Sequence, residues 1–218
     1  MLNLLDDLLR RLLMTNVVGL RPVVPGQPSA QVAEEQVAFA PPDDAWRTTV
    51  TTLQRNALNL YLVDLRENRK LRTNERVQER INGVVLEEQA PARMDCHYLI
   101  SAFSPILQLT PTVEPTFDEH ALLYEVAATL IREGTLNPSR VYASGANPWP
   151  VRFRDVALPI VVAPVEGFPK LAEFWGTMGT GHRWRPVLYV VITIPVALVQ
   201  EQAGYMVTAT VTSYEQIA

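Results

Sequence analysis

Apolar residues in the first fourteen positions, MLNLLDDLLRRLLM, recur at helical spacing. Leu2, Leu5, Leu8, Leu9, Leu12 and Leu13 make one stripe, and Leu4 widens it. Asp6, Asp7, Arg10 and Arg11 fall opposite, acids before bases, the order that suits the helix dipole. The pattern predicts a short amphipathic helix whose stripe needs a covering surface, in its own domain or on a neighbour. Residues 20–31, LRPVVPGQPSAQ, hold three prolines and a glycine and read as an extended arm. The next segment, VAEEQVAFA, predicts a strand that stops at Pro41-Pro42.

Further along, the period changes to that of strands. Ala57–Leu65 is apolar on both faces and ends abruptly in Arg66, Glu67, Asn68, Arg69, Lys70 and Arg72. In Arg93–Ala102, Met94, Cys96, Tyr98 and Ile100 point one way, and Asp95, His97, Leu99 and Ser101 the other. PTFDEHALLYEVAATLIREG predicts a helix with a Thr116/Glu119 capping box and a stop at Gly134. Its buried face is expected to hold Leu122, Leu123, Val126, Ala127, Leu130 and Ile131. Residues 135–155 read as a long loop and Val156–Ala163 as a strand. A second helix is expected from Pro169 to Met178, with Leu171, Phe174, Trp175 and Met178 inward. Val187–Ile194 is β-branched and apolar throughout, as a central strand is, and YMVTATVTSY alternates like a last strand. The fold class is therefore α/β (α+β), with a single mixed β-sheet flanked by helices. Three parts are expected: an amphipathic helix and arm over 1–31, a core over 32–196, and a C-terminal strand or arm over 197–218.

Composition narrows the function. The chain has 218 residues, 48% of them hydrophobic, and a net charge of −4, so it is globular and has no basic excess to hold a nucleic-acid backbone. A single cysteine, Cys96, excludes an intrachain disulfide and suits a reducing compartment. Asp6 and Asp7 interrupt the leading apolar run, and Val187–Val199 is short and contains Pro195, so neither a targeting segment nor a membrane span is expected.

Candidate chemistry is sparse. Cys96 and His97 are strand neighbours and point to opposite faces, a poor nucleophile–base pair. Asp118, Glu119 and His120 occupy the first turn of a helix, where acids balance the dipole. GTMGTGHRW, residues 176–184, is glycine-rich but lacks the Gly-Lys-Ser/Thr ending of a phosphate loop and follows a helix. No ligand spacing for a metal is present. The expectation is no catalytic site, no cofactor and no metal. Arg183 and Trp184 have the side chains of an interface anchor.

LNLYLVDLRENRKLRTN, DCHYLISAFSP, DEHALLYEVAATL, FWGTMG and RPVLYVVITIP occur in this order, after FAPPDDAW at 39–46. Taken together they resemble the cap, or tail-terminator, family of phage-tail-like contractile injection systems, over residues 1 to 196. The resemblance implies a structural protein that ends the inner tube and anchors the last sheath ring as a homohexamer. It implies inner tube and sheath proteins as partners, and assembly in a bacterial cytoplasm into a particle, without nucleic acid or membrane insertion. Within it, Leu5, Leu8, Leu9 and Leu12 become a docking stripe on a removable leader. The charged segment Arg66, Glu67, Asn68, Arg69, Lys70 and Arg72, with Arg183 and Trp184, becomes a contact surface. A small-molecule-binding α/β enzyme and an adaptor that forms no ring are the alternatives.

Overall fold

Helix α1 (Leu2–Asn16) lies inside the first of two compact units. The computed structural model describes residues 1–21, 31–72, 76–81, 84–105, 114–177, 185–196 and 201–205. Met1–Arg66 and Met94–Ile194 form one unit; Glu67–Arg93 and Pro195–Ala218 form the other. Residues 67–93 thus lie outside the first unit.

The first unit is organised on a six-stranded sheet. Its strands are β1 (Val37–Ala38), β2 (Ala57–Glu67), β5 (Arg93–Phe103), β6 (Thr135–Leu136), β7 (Leu158–Val162) and β8 (Leu188–Pro195). Their order across the sheet is β1-β2-β5-β8-β7-β6. β1 runs parallel to β2, whereas β7 is antiparallel to both β6 and β8, so the sheet is mixed and the fold is α+β. One face meets α1 and α3 (Pro115–Glu133), and Leu58, Leu60, Cys96, Tyr98, Ile100 and Ile192 enter that core. Trp46, Val50, Ala57 and Phe103 form a smaller cluster, with the Trp46 and Phe103 rings edge to face at 4.3 Å.

The second unit carries β3 (Arg76–Ile81), β4 (Val84–Gln89) and β9 (Glu201–Tyr205), paired antiparallel in the order β3-β4-β9. Ile81 pairs with Val84 at one end of the β3–β4 ladder. This three-stranded sheet was not anticipated, and of the YMVTATVTSY segment only Tyr205 lies among the described residues.

The leading helix is not a detachable arm. Leu5, Leu8, Leu9 and Leu12, expected as a docking stripe, are buried with Leu13 in the unit's own core. Its polar face is engaged as well. Asp6 accepts a hydrogen bond from the Tyr98 hydroxyl at 2.7 Å, and Asp7 accepts one from Tyr142. Arg10 donates to the Val37 carbonyl and lies over the Phe39 ring; Arg11 lies over Tyr142. A helix held on both faces by its own chain has no stripe to offer a neighbour.

Other departures have local causes. The segment expected as a strand up to Pro41 forms a 3-10 turn, Glu34–Gln36, and only a two-residue β1. The buried Gln36 amide is committed to the Leu20 and Asn56 carbonyls. Helix α2 (Asp44–Leu53) runs through a β-branched stretch, TTVTT. Asp43 caps it by accepting from the Trp46 N–H, Trp46 and Val50 bury, and four threonine hydroxyls bond back to carbonyls one turn earlier.

The Thr116/Glu119 capping box does not form, because Glu119 accepts instead from Arg185 at 2.6 Å and from the Ser104 N–H. The Arg185 guanidinium also sits 4.5 Å from the Phe103 ring centroid, so this contact ties α3 to the approach to β8. Residues 135–155 hold β6, α4 (Pro138–Val141) and a 3-10 turn, and bury Tyr142, Trp149 and Phe153 instead of looping through solvent. Helix α5 (Leu171–Thr177) buries Trp175 and sets Phe174 against Tyr61. Met178, expected on the same face, lies outside the described residues.

Leu8→Ala is expected to cost about 2–5 kcal/mol, the usual range for a truncated core leucine. Deleting residues 1–14 is expected to abolish the cooperative thermal transition of the first unit, where an arm would leave it intact. Circular dichroism melts of the two variants beside the full chain measure both effects.

Candidate interaction surfaces

Strand β2 passes from the core to solvent along its length. Ala57–Leu60 are buried, Tyr61–Asp64 half-buried, and Leu65, Arg66 and Glu67 exposed. The expected burial through Leu65 therefore ends at its midpoint. Arg66 is drawn back onto its own strand, with its Nε 2.7 Å from Asp64, and this guanidinium holds the Asp64 carboxyl below its ordinary range.

In the second unit the charged segment is ordered by its own contacts. Glu67 pairs with Arg72 at 3.1 Å and with Arg69 at 3.6 Å. Asn68 caps the 3-10 turn Arg69–Leu71 by accepting from the Leu71 N–H, and its own N–H donates to the Arg93 carbonyl at 2.8 Å. Lys70 and Leu71 are exposed. One carboxylate thus faces three cations over residues 67–72, leaving a positive surplus on an acidic chain. Exposed pairs such as these contribute about 0.2–1 kcal/mol each. They order the turn more than they stabilise the fold. Arg183, Trp184 and the 178–184 part of the glycine-rich segment lie outside the described residues.

The first unit also holds a polar cluster on strands β5 and β8. His97 Nδ1 is 2.6 Å from the Tyr189 hydroxyl, and the two rings stack. Thr193 donates to Asp95 at 2.6 Å. Burial, then Arg66, pushes the His97 pKa down, and burial pushes the Tyr189 hydroxyl up. Cys96 is buried among the core residues of the same strand, and its thiol is pushed up to about 12 by burial. The adjacent cysteine and histidine are thus a protonated thiol in the main core and a neutral ring beside Tyr189, which is no nucleophile–base pair. His120 is exposed in the second turn of α3, one turn later than expected. Among the described residues, no three His, Cys, Asp or Glu side chains converge as a metal site requires, and no helix is long and apolar enough to cross a membrane.

A different surface escaped the sequence reading. Phe117, Tyr124 and Ile131, all on α3, are 68%, 75% and 65% exposed. Ile131 was expected inside with Leu130, but the helix turns it outward. The seven-residue spacing of these three side chains was the available signal, hidden beside the stronger inner stripe.

Two solved structures share this fold along nearly the whole chain. The chain is similar to the sheath/tube terminator of an extracellular contractile injection system, PVC, in its extended state, with 19% identity and a TM-score of 0.58. That likeness covers 100% of this chain and 64% of the other. It is also similar to the tube-terminating cap of the anti-feeding prophage, with 18% identity and a TM-score of 0.59, over 96% of this chain and 60% of that one. The chain therefore spans less than two thirds of either neighbour. No curated protein matches it. The Pvc16 N-terminal domain family matches residues 4–209, and the chain belongs to that family.

The His97 geometry sets a pH dependence. Its Nε2 is buried without a hydrogen-bond partner among the described residues, so protonation would add an unsatisfied donor to a desolvated charge. A folded-state pKa below the ordinary 6.5 means that the folded chain holds this proton less tightly than the unfolded chain. The resulting stability is fully present above that value and is lost as pH falls below it toward the folded pKa. The melting temperature of the wild type is expected to drop more than that of His97→Gln between about pH 7.5 and about pH 5.5. Equal drops would remove His97 from the account.

Proposed function

We propose that this chain is a tail terminator of a contractile injection system, ending the inner tube and anchoring the last sheath ring as a homohexamer. The observation that carries this reading is the joint likeness to two terminator or cap structures along 96–100% of the chain, together with membership of the Pvc16 N-terminal domain family. Its partners are the tube and sheath proteins of the same particle. Assembly occurs in a bacterial cytoplasm, and the role is structural, without a cofactor, nucleic acid or membrane insertion. Among the described residues His97 and Cys96 are not arranged as a catalytic pair, so they lend the small-molecule enzyme no support. Nor does any observation single out an adaptor that forms no ring.

In this reading the positive turn at residues 67–72 and the neighbouring Arg66 meet an acidic partner surface. Such charges act on encounter and register more than on affinity, so their effect depends on repetition around a ring. Reversal of Arg66, Arg69 and Lys70 to Glu is expected to leave the melting temperature nearly unchanged. Electron microscopy of particles assembled with this variant is expected to show uncapped tubes of irregular length. Normal lengths with full cap occupancy would assign the segment to a solvated turn.

Native mass spectrometry tests the ring itself. Six copies of a 24.4 kDa chain give about 146 kDa, free or on tube. A strict monomer that binds neither tube nor sheath would refute the terminator reading.

A further inference from the structure

Helix α3 carries two stripes. The inner one, Leu122, Val126 and Leu130, is buried in the core with Leu58, Leu60, Cys96 and Val190 of the sheet. The outer one, Phe117, Ala121, Tyr124, Ala128 and Ile131, is exposed. At about 1.5 Å per residue, its three large side chains stand roughly 10 Å apart and form a ridge roughly 21 Å long.

The opposite face of the same sheet holds a groove. Successive strand residues alternate in direction, so Tyr61, His97 and Tyr189 point away from the side that Leu60, Cys96 and Val190 share with α3. On that far side Tyr61 meets Phe174 of α5 at 5.8 Å, and Tyr189 meets Phe168 at 5.7 Å. Tyr61, Val63, Phe168 and Phe174 line an open groove of about 280 Å³, with Lys170 and Glu173 at its rim. It opens beside β2 where β1 has ended, since Ala38 pairs with Asn59 and β2 runs on to Glu67.

The two surfaces are complementary in shape and charge. One is a row of protruding apolar side chains, and the other is a largely apolar recess with aromatic walls. Glu114 and Asp118 are exposed at one end of the ridge, and Lys170 is exposed at one end of the groove. Asp118 precedes Tyr124 by six residues, roughly 9 Å along a helix, and Lys170 precedes Phe174 by one turn, roughly 6 Å. The long lysine side chain spans the difference. Glu173, next to Phe174, is held about one turn further from that acid. The other charges on this flank of α3 have contacts within their own unit: Glu125 accepts from the Gly19 N–H at 2.8 Å, and Arg132 contacts Asn16 at 3.4 Å.

We propose that the outer stripe of α3 of one copy docks in the β2–α5 groove of the next copy, with Tyr124 against Phe174 and Asp118 beside Lys170. The contact joins two different patches on opposite faces of one sheet, so it is heterologous, the kind of contact by which a cyclic ring closes. It rests on the sixfold ring of the terminator reading and names the surfaces that close it. The docked helix also covers the part of β2 that lies beyond β1, a device that keeps other strands from adding to a sheet edge.

Native mass spectrometry and electron microscopy of the full chain, free and with tube protein, test it. Tyr124→Glu places a charge against the aromatic walls and is expected to leave the ring unformed. Lys170→Glu sets like charges against each other and is expected to weaken each contact about fivefold, a loss repeated at every contact around the ring. Asp118→Lys alone is expected to do the same. Lys170→Glu and Asp118→Lys together in one chain are expected to restore the ring, because the pair forms again with its signs exchanged. All three positions are exposed, and circular dichroism melts establish that the variants remain folded.

A ring that survives Tyr124→Glu would overturn the proposal, as would a double reversal that does not recover. If Tyr124→Glu kept its ring but lost binding to sheath protein, the stripe would belong to the sheath and not to a second copy. A wild type that forms no ring, free or on tube, would remove the ring reading along with this contact. An intact wild-type ring that is indifferent to every variant would remove the contact alone, so the two failures are distinguishable.

Discussion

The burial of α1 is the constraint on which the first unit depends. Five leucines of that helix are shielded from water, and each fully buried leucine contributes about 1.5–3 kcal/mol. The polar face makes the placement specific. Asp6 and Asp7 accept from the hydroxyls of Tyr98 on β5 and Tyr142 after α4, groups far apart in sequence. Burial raises the Asp6 carboxyl, while the Tyr98 bond and Arg10 draw it partly back. The same burial pushes the Tyr98 and Tyr142 hydroxyls up, so both remain donors. Rotating the helix would leave the hydroxyl of the fully buried Tyr98 without its acceptor, a larger penalty than the net gain of the bond itself.

Once α1 is in place, the role of α3 follows. Its inner stripe shares the same core, and Glu119 is fixed by Arg185 and the Ser104 N–H. A carboxylate that would serve a helix cap in isolation is worth more to a guanidinium in a partly buried site, because charge-assisted bonds strengthen as water is excluded. With its inner face and first turn committed, the helix presents Phe117, Tyr124 and Ile131 to solvent. Exposed aromatic and aliphatic side chains in register on a rigid helix are the kind of surface that assembly uses. Cys96 is buried in the core and His97 is directed to Tyr189, so these two neighbours do not form a nucleophile–base pair.

The charged segment after β2 shows how local order and function separate. Glu67, Asn68 and Arg72 spend their contacts shaping the turn, while Lys70 remains outward. The turn is therefore an ordered positive feature in the second unit and not a loose string of charges. Its sequence neighbour Arg66 has a different assignment, paired to Asp64 in the first unit.

Periodicity alone determined the existence of α1 and α3, the strands β2, β5, β7 and β8, and the alternation that separates Cys96 from His97. These features depend on the spacing of apolar residues, which is the same in any context. It also determined that the leading stripe had to be covered, but not by what. Tertiary structure decided that Leu5, Leu8, Leu9 and Leu12 lie under their own sheet, because only the folded chain brings Tyr98 and Tyr142 to Asp6 and Asp7. It decided that TTVTT is helical, because burial of Trp46 and Val50 outweighs a weak β preference. It decided that Ile131 faces out while Leu130 faces in, since adjacent residues on a helix differ by about 100° and the core takes a limited arc. Residues 135–155 were illegible for a related reason: Tyr142, Trp149 and Phe153 are isolated among prolines, asparagines and a glycine, and their burial depends on surfaces contributed by distant parts of the chain.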